Sequence, residues 1–241
     1  MESIKRMLRS LYGRLSGRRG KFFCPVCEKH SLRFKQFGVQ KRKNAQCPAC
    51  GALERHRLVW LYLSRKTNLL QSELKGTMLH VAPESILESK LRPMLGKRYL
   101  TADFLDPKAD VKMDIMNIAY ADHSFEVIYC SHVLEHVPDD RRAMREFNRV
   151  LQRDGWAILL VPITAERTFE DLSIEDPKER LRLFGQSDHV RRYGPDYAER
   201  LREAGFDVEC IRPSDFLSPT EIAHMAISAA GDIYLCRPVK G

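Results

Sequence analysis

With 241 residues, 44% of them hydrophobic and 30% charged, the chain has room for one full α/β domain plus a small module. Its net charge of +8 is unevenly divided: residues 1–66 hold 17 Lys and Arg against 3 Asp and Glu, +14, which leaves −6 for the remainder. The N-terminal quarter is therefore the candidate for contact with a polyanion or a membrane surface, and the rest is excluded from that role. No apolar run reaches the length of a bilayer span and no signal-like apolar block opens the chain, so the cytoplasm is the expected location.

Residues 1–20 place Ile4, Met7, Leu8, Leu11, Tyr12 and Leu15 at helical spacing, with Lys5, Arg6, Arg9, Arg14, Arg18 and Arg19 on the other face. Such a basic amphipathic helix either packs its apolar stripe on the rest of the protein or makes peripheral contact with anionic lipid. Residues 21–53 follow as a small module. Cys24-Pro-Val-Cys27 and Cys47-Pro-Ala-Cys50-Gly51 are two C-x2-C knuckles separated by nineteen residues. Each knuckle can present two sulfurs from one tight turn, and four thiolates make a closed tetrahedral Zn2+ site with no open catalytic position. A structural zinc ribbon is preferred to disulfides or redox chemistry, because cysteine pairs in a reducing compartment favour metal. Leu32 to Phe37 alternates as a strand, and Lys41-Arg42-Lys43 marks a basic turn. Phe22, Phe23, Phe34 and Phe37 either form the ribbon's own small core or stack on nucleic-acid bases beside that basic turn.

Residues 54–75 read as a connecting helix, apolar at Leu58, Val59, Leu61, Tyr62, Leu69 and Leu70, with His56 structural. Residues 76–241 make the main domain. TMLHVAP, from Thr77 to Pro83, suits a buried parallel strand; a helix from Glu84 to about Leu95 and a second strand, RYLTADF, follow. Asp103 lies 23 positions after His80, the spacing that sets a carboxylate at the end of the second strand of a βαβ unit, where it can accept from ribose hydroxyls. Asp114 precedes a loop, and SFEVIYCSHVLEHVPDD gives a strand, a turn and a helix, so a ligand crevice is expected at the strand ends. On that helix His132 and His136 stand one turn apart with Glu135 between them, an invitation to metal that two ligands alone do not settle.

A helix from about Arg141 to Leu151 is expected to stop at Asp154-Gly155, before a strand from Trp156 to Pro162. Residues 164–194 form an insertion longer than a usual strand-to-helix connection and read as a lid or substrate-selecting element. Within it Asp188, His189, Arg191 and Tyr193 concentrate acid, base and anion-binding groups, either around a substrate or tying a loop to a helix end. A helix beginning near Pro195 leads to two last strands, Phe206–Ile211 and Asp232–Arg237. Cys130, Cys210 and Cys236 sit singly in strand-like runs, as small buried apolar residues do.

The blocks DHSFEVIYCSHVLEHVPD, EFNRVLQRDGWAILLVP and GPDYAERLREAGFDVE resemble class I S-adenosylmethionine-dependent methyltransferases of the type 11 group, over roughly Gly76 to Cys236. CPACGALERHRLVWLYL resembles the linker of bacterial methyltransferases that carry an N-terminal zinc ribbon. The resemblance implies an α/β, Rossmann-like sheet with helices on both faces and an antiparallel last strand. It implies S-adenosylmethionine as cofactor, with cofactor roles for Ala82, Glu84 (toward the methionine ammonium), Asp103 (ribose), Asp114 and Ile115 (adenine) and Ser131. The resemblance places His132 near the cofactor sulfur and the acceptor; His132 and His189 are the candidate base or orienting residues, and Arg191 and Tyr193 are candidate substrate contacts from their residue types. The first loop departs from the family pattern: His80 to Ile86 contains no glycine, and Pro83 removes a backbone donor. The expected function is methyl transfer to a small molecule or a glycan. The alternatives are an RNA methyltransferase fed by the basic ribbon and a non-catalytic zinc-ribbon binding protein with a decayed cofactor pocket.

Overall fold

A computed structural model of the chain describes residues 20–67, 69–71 and 74–239. The expected basic helix of residues 1–20, and with it the membrane contact, lies outside the described residues but for Gly20. The ribbon consists of two antiparallel pairs, β1 (Phe22–Cys24) with β2 (Lys29–Ser31) and β3 (Lys35–Phe37) with β4 (Arg42–Gln46). Glu28 donates to the Cys24 carbonyl and Gly51, at φ +81°, to the Cys47 carbonyl, closing one tight turn behind each knuckle. The aromatics divide. Phe22 and Phe34 are buried with ring centroids 5.4 Å apart, whereas Phe37 is exposed. Stacking on a partner could therefore use Phe37 but not that buried pair.

Helix α1 (Glu54–Lys66) joins the ribbon to the main domain. An acidic first turn and a basic last turn (Arg65, Lys66) suit its dipole, while Leu58, Val59, Leu61, Tyr62 and Leu63 are buried. Beyond it runs one seven-stranded sheet. In chain order its strands are β5 (Met78–Val81), β6 (Tyr99–Asp103), β7 (Val111–Lys112), β8 (Phe125–Ser131), β9 (Leu151–Leu160), β12 (Phe206–Ile211) and β13 (Ile233–Pro238). Their spatial order is β12-β13-β9-β8-β5-β6-β7; β5 to β9 run parallel, and β13 is antiparallel to both β9 and β12. The expected antiparallel last strand is present. Helices α2 (Ser85–Leu95), α3 (Asp140–Val150), α5 (Tyr197–Glu203) and α6 (Pro219–His224) connect strands, and α4 (Pro177–Phe184) lies in the insertion with the short hairpin of β10 (Phe169–Glu170) and β11 (Arg191–Arg192). Strand order reverses between β5 and β8, and an open α/β sheet places its ligand crevice at the carboxyl ends of the strands flanking that point.

Several expected boundaries differ, the connecting helix among them, since α1 ends at Lys66 rather than near residue 75. Asp154-Gly155 does not stop a helix: α3 ends at Val150 and β9 begins at Leu151, which is fully buried and pairs with Phe125. The extra residues form a bulge, since Phe125 pairs with Leu151 but Val127 with Trp156. Gly155 is needed there because a Cβ would come within 2.5 Å of the Glu126 carbonyl oxygen. His132 and His136 also lie on no helix. The chain leaves β8 in successive turns, with His132 at φ +57°, and becomes helical only at Asp140.

Candidate active site

Beside the strand-order reversal lies a cavity of about 450 Å³, lined by Ala82, Asp103, Asp114, Ile115 and His132 among others. Ala82 follows β5 directly at φ +48°, a left-handed conformation that glycine adopts without strain. Asp103 closes β6. Its Oδ1 accepts from the backbone N–H groups of Leu105 (2.7 Å) and Asp106 (2.8 Å), which fixes the carboxylate in a turn; Oδ2 has no hydrogen-bond partner among the described residues. Asp114 Oδ1 accepts from Met116 N–H in the same manner, and Ile115 beside it is buried. Phe104, Leu105, Met113, Met116 and Val133 supply an apolar lining suited to a planar base.

A second cavity, of about 430 Å³, lies behind His132. Its walls come from the ribbon (Gln40, Arg42), the start of α1 (Glu54, Arg55), the segment after β9 (Val161 to Thr164) and the Ala229–Asp232 segment before β13. His132 lines both cavities, and its Nδ1 lies 3.3 Å from Glu135 Oε1. Arg42 is held across the ribbon boundary by Glu54, Nε to Oε1 at 3.0 Å and Nη2 to Oε2 at 3.3 Å.

Glu84 sits away from both linings. Oε1 accepts from His56 Nε2 (2.8 Å) and Arg55 Nε (3.0 Å), and Oε2 accepts from the Tyr129 hydroxyl (2.9 Å). Burial alone would raise its pKa, but the His56 hydrogen bond, the Arg55 charge and the tyrosine hydroxyl outweigh it and hold the carboxyl at about 2. A carboxylate so committed is not free for a methionine ammonium group. His56 completes the link: its Nδ1 accepts from Leu53 N–H at the start of α1 while Nε2 faces Glu84, so the ring is structural. Ser131 is buried at the end of β8, outside both linings.

Arg191 and Tyr193 are likewise occupied. Arg191, 1% exposed, donates to the carbonyls of Leu134, Val137 and Pro138 and through Nε to Glu170 Oε2 at 2.9 Å. Tyr193 is fully buried and donates to Asp140 Oδ2 at 2.7 Å, a carboxylate shared with Arg200. Neither reaches a cavity. They clamp the loop from Leu134 to Asp140, which carries part of the first cavity's wall. The insertion is bolted to the same cluster through Glu170, and the two linings take in Thr164 but nothing from 165–194. The sequence signal for a pocket was a real concentration of charge that the fold turns inward. His189 is also buried, next to His136, and burial holds its pKa below the ordinary histidine value, as a neutral imidazole.

In the ribbon the four sulfurs converge. Cys24 Sγ lies 3.7 Å from Cys50 Sγ and Cys27 Sγ 3.8 Å from Cys47 Sγ. The edge of a tetrahedron of four sulfurs around zinc, with bonds of about 2.3 Å, is roughly 3.8 Å, so the donor set fits one Zn2+. Among the described residues no helix is long and apolar enough to cross a membrane.

Comparison with known proteins matches residues 58–159 to the family model described as a methyltransferase domain. The 27-O-demethylrifamycin SV methyltransferase of Amycolatopsis mediterranei (strain S699) is 33% identical over 129 residues, 52% of this chain and 44% of that protein. This chain thus spans less than half the length of that relative. Among solved structures, an S-adenosylmethionine-dependent methyltransferase from Thermotoga maritima aligns at 16% identity and TM-score 0.44, over 76% of this chain and 91% of that one. The [4+2]-cyclase SpnF aligns at 17% identity and TM-score 0.46, over 90% and 92%. The matched segment, residues 58–159, contains the strand-order reversal and the whole lining of the first cavity, so the similarity to methyltransferase domains falls on the part of the chain that builds that cavity.

Proposed function

We propose that this chain transfers the methyl group of S-adenosylmethionine to a small-molecule or glycan acceptor bound between the ribbon and the sheet domain. The observation that carries this reading is His132, a single side chain lining two cavities, one with the features of a nucleoside site and one with a polar mouth. Asp103 would hold the ribose, Asp114 and Ile115 would meet the adenine, and the backbone at Ala82 would let the cofactor approach β5. When bound, the cofactor supplies an electrophilic methyl group on a sulfonium. The chain's own part is to position the acceptor in line, exclude water and, at His132, orient the acceptor or take up a proton. The four-cysteine set would hold Zn2+ structurally, giving the second cavity a stiff wall in Gln40 and Arg42.

The test is calorimetric titration of the zinc-loaded protein with S-adenosylmethionine and S-adenosylhomocysteine, beside Asp103→Ala. The expected result is micromolar binding, weakened at least tenfold in the variant, about 1.4 kcal/mol for a lost pair of hydrogen bonds. A folded protein that binds neither compound overturns the reading.

A further inference from the structure

The turns between β8 and α3, together with the residue before Val190, gather three groups that the methyl-transfer reading does not use. Glu135, His136 and His189 each bring one ligand-type atom within 4.8 Å of the others. Glu135 is 1% exposed and its Oε2 has no hydrogen-bond partner among the described residues; His189 is 5% exposed and its Nε2 has none either. Buried polar atoms left unpaired are costly, and here a carboxylate oxygen of Glu135 and a ring nitrogen of His189 lie within 4.8 Å of each other. His136 completes the set. Its ring meets that of His189 edge to face with centroids 4.6 Å apart, and its Nδ1 lies 3.2 Å from Asp188 Oδ2. That carboxylate fixes the ring and leaves Nε2 for coordination, the usual arrangement behind a metal-bound histidine. Val190 N–H donates to the Glu135 carbonyl at 3.0 Å, which holds the two segments in register.

We propose that Glu135, His136 and His189 bind a divalent transition-metal ion at the wall of the cofactor cavity, distinct from the four-cysteine site. Two imidazoles and one carboxylate suit zinc, manganese or iron better than magnesium or calcium, and three protein ligands leave coordination positions open. His136 and His132 both line the first cavity, and Glu135 Oε1 stands 3.3 Å from His132 Nδ1, so the ion adjoins the residue that separates the two cavities.

The test begins with full-length protein given one equivalent of Zn2+, enough for the four-cysteine site alone, and titrated with Mn2+, followed through the paramagnetic resonance signal of free Mn2+. The thiolate site keeps its zinc because soft ligands disfavour manganese, so uptake of one Mn2+ per chain is the expected result. His136→Ala, a change at a half-exposed side chain, should weaken uptake by about tenfold or more. Elemental analysis after Zn2+ loading should give two zinc ions per wild-type chain and one in the variant. Equal uptake by both proteins places the ion elsewhere and overturns the assignment, as does one zinc per wild-type chain with no Mn2+ uptake. S-adenosylhomocysteine titration of the same samples separates the two claims. Cofactor binding without a second metal defeats the metal site alone, and metal uptake without cofactor binding defeats the methyl-transfer reading alone.

Discussion

Arg57 should be the side chain that holds the ribbon to the sheet domain. It is fully buried, and its guanidinium donates to four carbonyl oxygens: Met225 (2.8 Å), Ala45 (3.0 Å), Ala52 (2.7 Å) and Ala226 (2.7 Å). Two of these acceptors belong to the ribbon and two follow α6, while the Phe34 ring lies 4.7 Å from the guanidinium carbon. Hydrogen bonds from a charged group contribute about 1.5–3 kcal/mol each, so four give about 6–12 kcal/mol before desolvation. Burying the cation costs several kcal/mol, a cost also visible in the downward pull of burial on the Arg57 pKa. Arg57→Met keeps most of the volume but leaves the four carbonyls without their donor, at about 1–3 kcal/mol each, while also removing the cost of burying the cation, so a net loss of about 3–5 kcal/mol is expected. The assay is urea unfolding followed by the fluorescence of the two tryptophans, Trp60 on α1 and Trp156 in β9, together with the rate of zinc release to a chelator. The ribbon should melt in a separate, earlier transition and release zinc faster. A single transition shifted by less than about 0.5 kcal/mol, the usual range for surface substitutions, would refute the reasoning.

Two further outcomes follow from buried charge. Glu84, held at about 2 against an ordinary 4.5, contributes stability that is complete above pH 4.5 and is lost as the pH falls toward 2. Glu84→Gln should therefore remove roughly 3 kcal/mol at pH 7 and much less at pH 3, measured as urea midpoints at both; an equal loss at the two values would contradict the ionic origin. Arg191→Met should cost about 3–5 kcal/mol of stability because the Leu134, Val137 and Pro138 carbonyls lose their donor. Unchanged stability with only a raised KM for the acceptor would instead restore Arg191 as a substrate contact.

Much of this architecture was legible in the residues because its signals are local. The two C-x2-C knuckles predict four converging sulfurs by spacing alone, and in the fold the four lie within 4.8 Å of one another. Short β-branched runs ending in Ala82 and Asp103 located β5, β6 and the cavity between them, since a parallel strand buried on both faces is nearly all apolar. What failed was any inference that needed to know which way a polar side chain turns. Asp188, His189, Arg191 and Tyr193 look like pocket residues in a string, but alternation on β11 and its flanks sends Arg191 and Tyr193 inward, onto Asp140, Glu170 and bare loop carbonyls. His189 was separated by 53 positions from its partner His136, and only the fold brings them together. Asp154-Gly155 misled for a different reason: the same dipeptide suits a helix stop or a bulge, and the tertiary pairing of Leu151 with Phe125 decides between them.

The glycine-poor first loop is explained by support from outside the domain. The turn after β5 still enters the left-handed region at Ala82, whose N–H donates to the Ala102 carbonyl at 2.8 Å, and alanine is the L-residue that brings least bulk to that conformation. Glu84 is then gripped by Arg55 and His56 of α1 and by Tyr129 of β8. Ile86, in the first turn of α2, packs against the ribbon core beside the knuckle glycine Gly51. A flexible glycine loop derives its shape from the ligand it wraps, whereas this one is shaped beforehand by contacts with α1 and the ribbon. The same segment of chain that brings Arg42 to the second cavity thus also braces the first. On this argument the ribbon's influence reaches the first cavity through Ile86 and through the α1 contacts of Glu84, and a variant that loosens the ribbon without touching that cavity should still weaken the proposed S-adenosylmethionine binding.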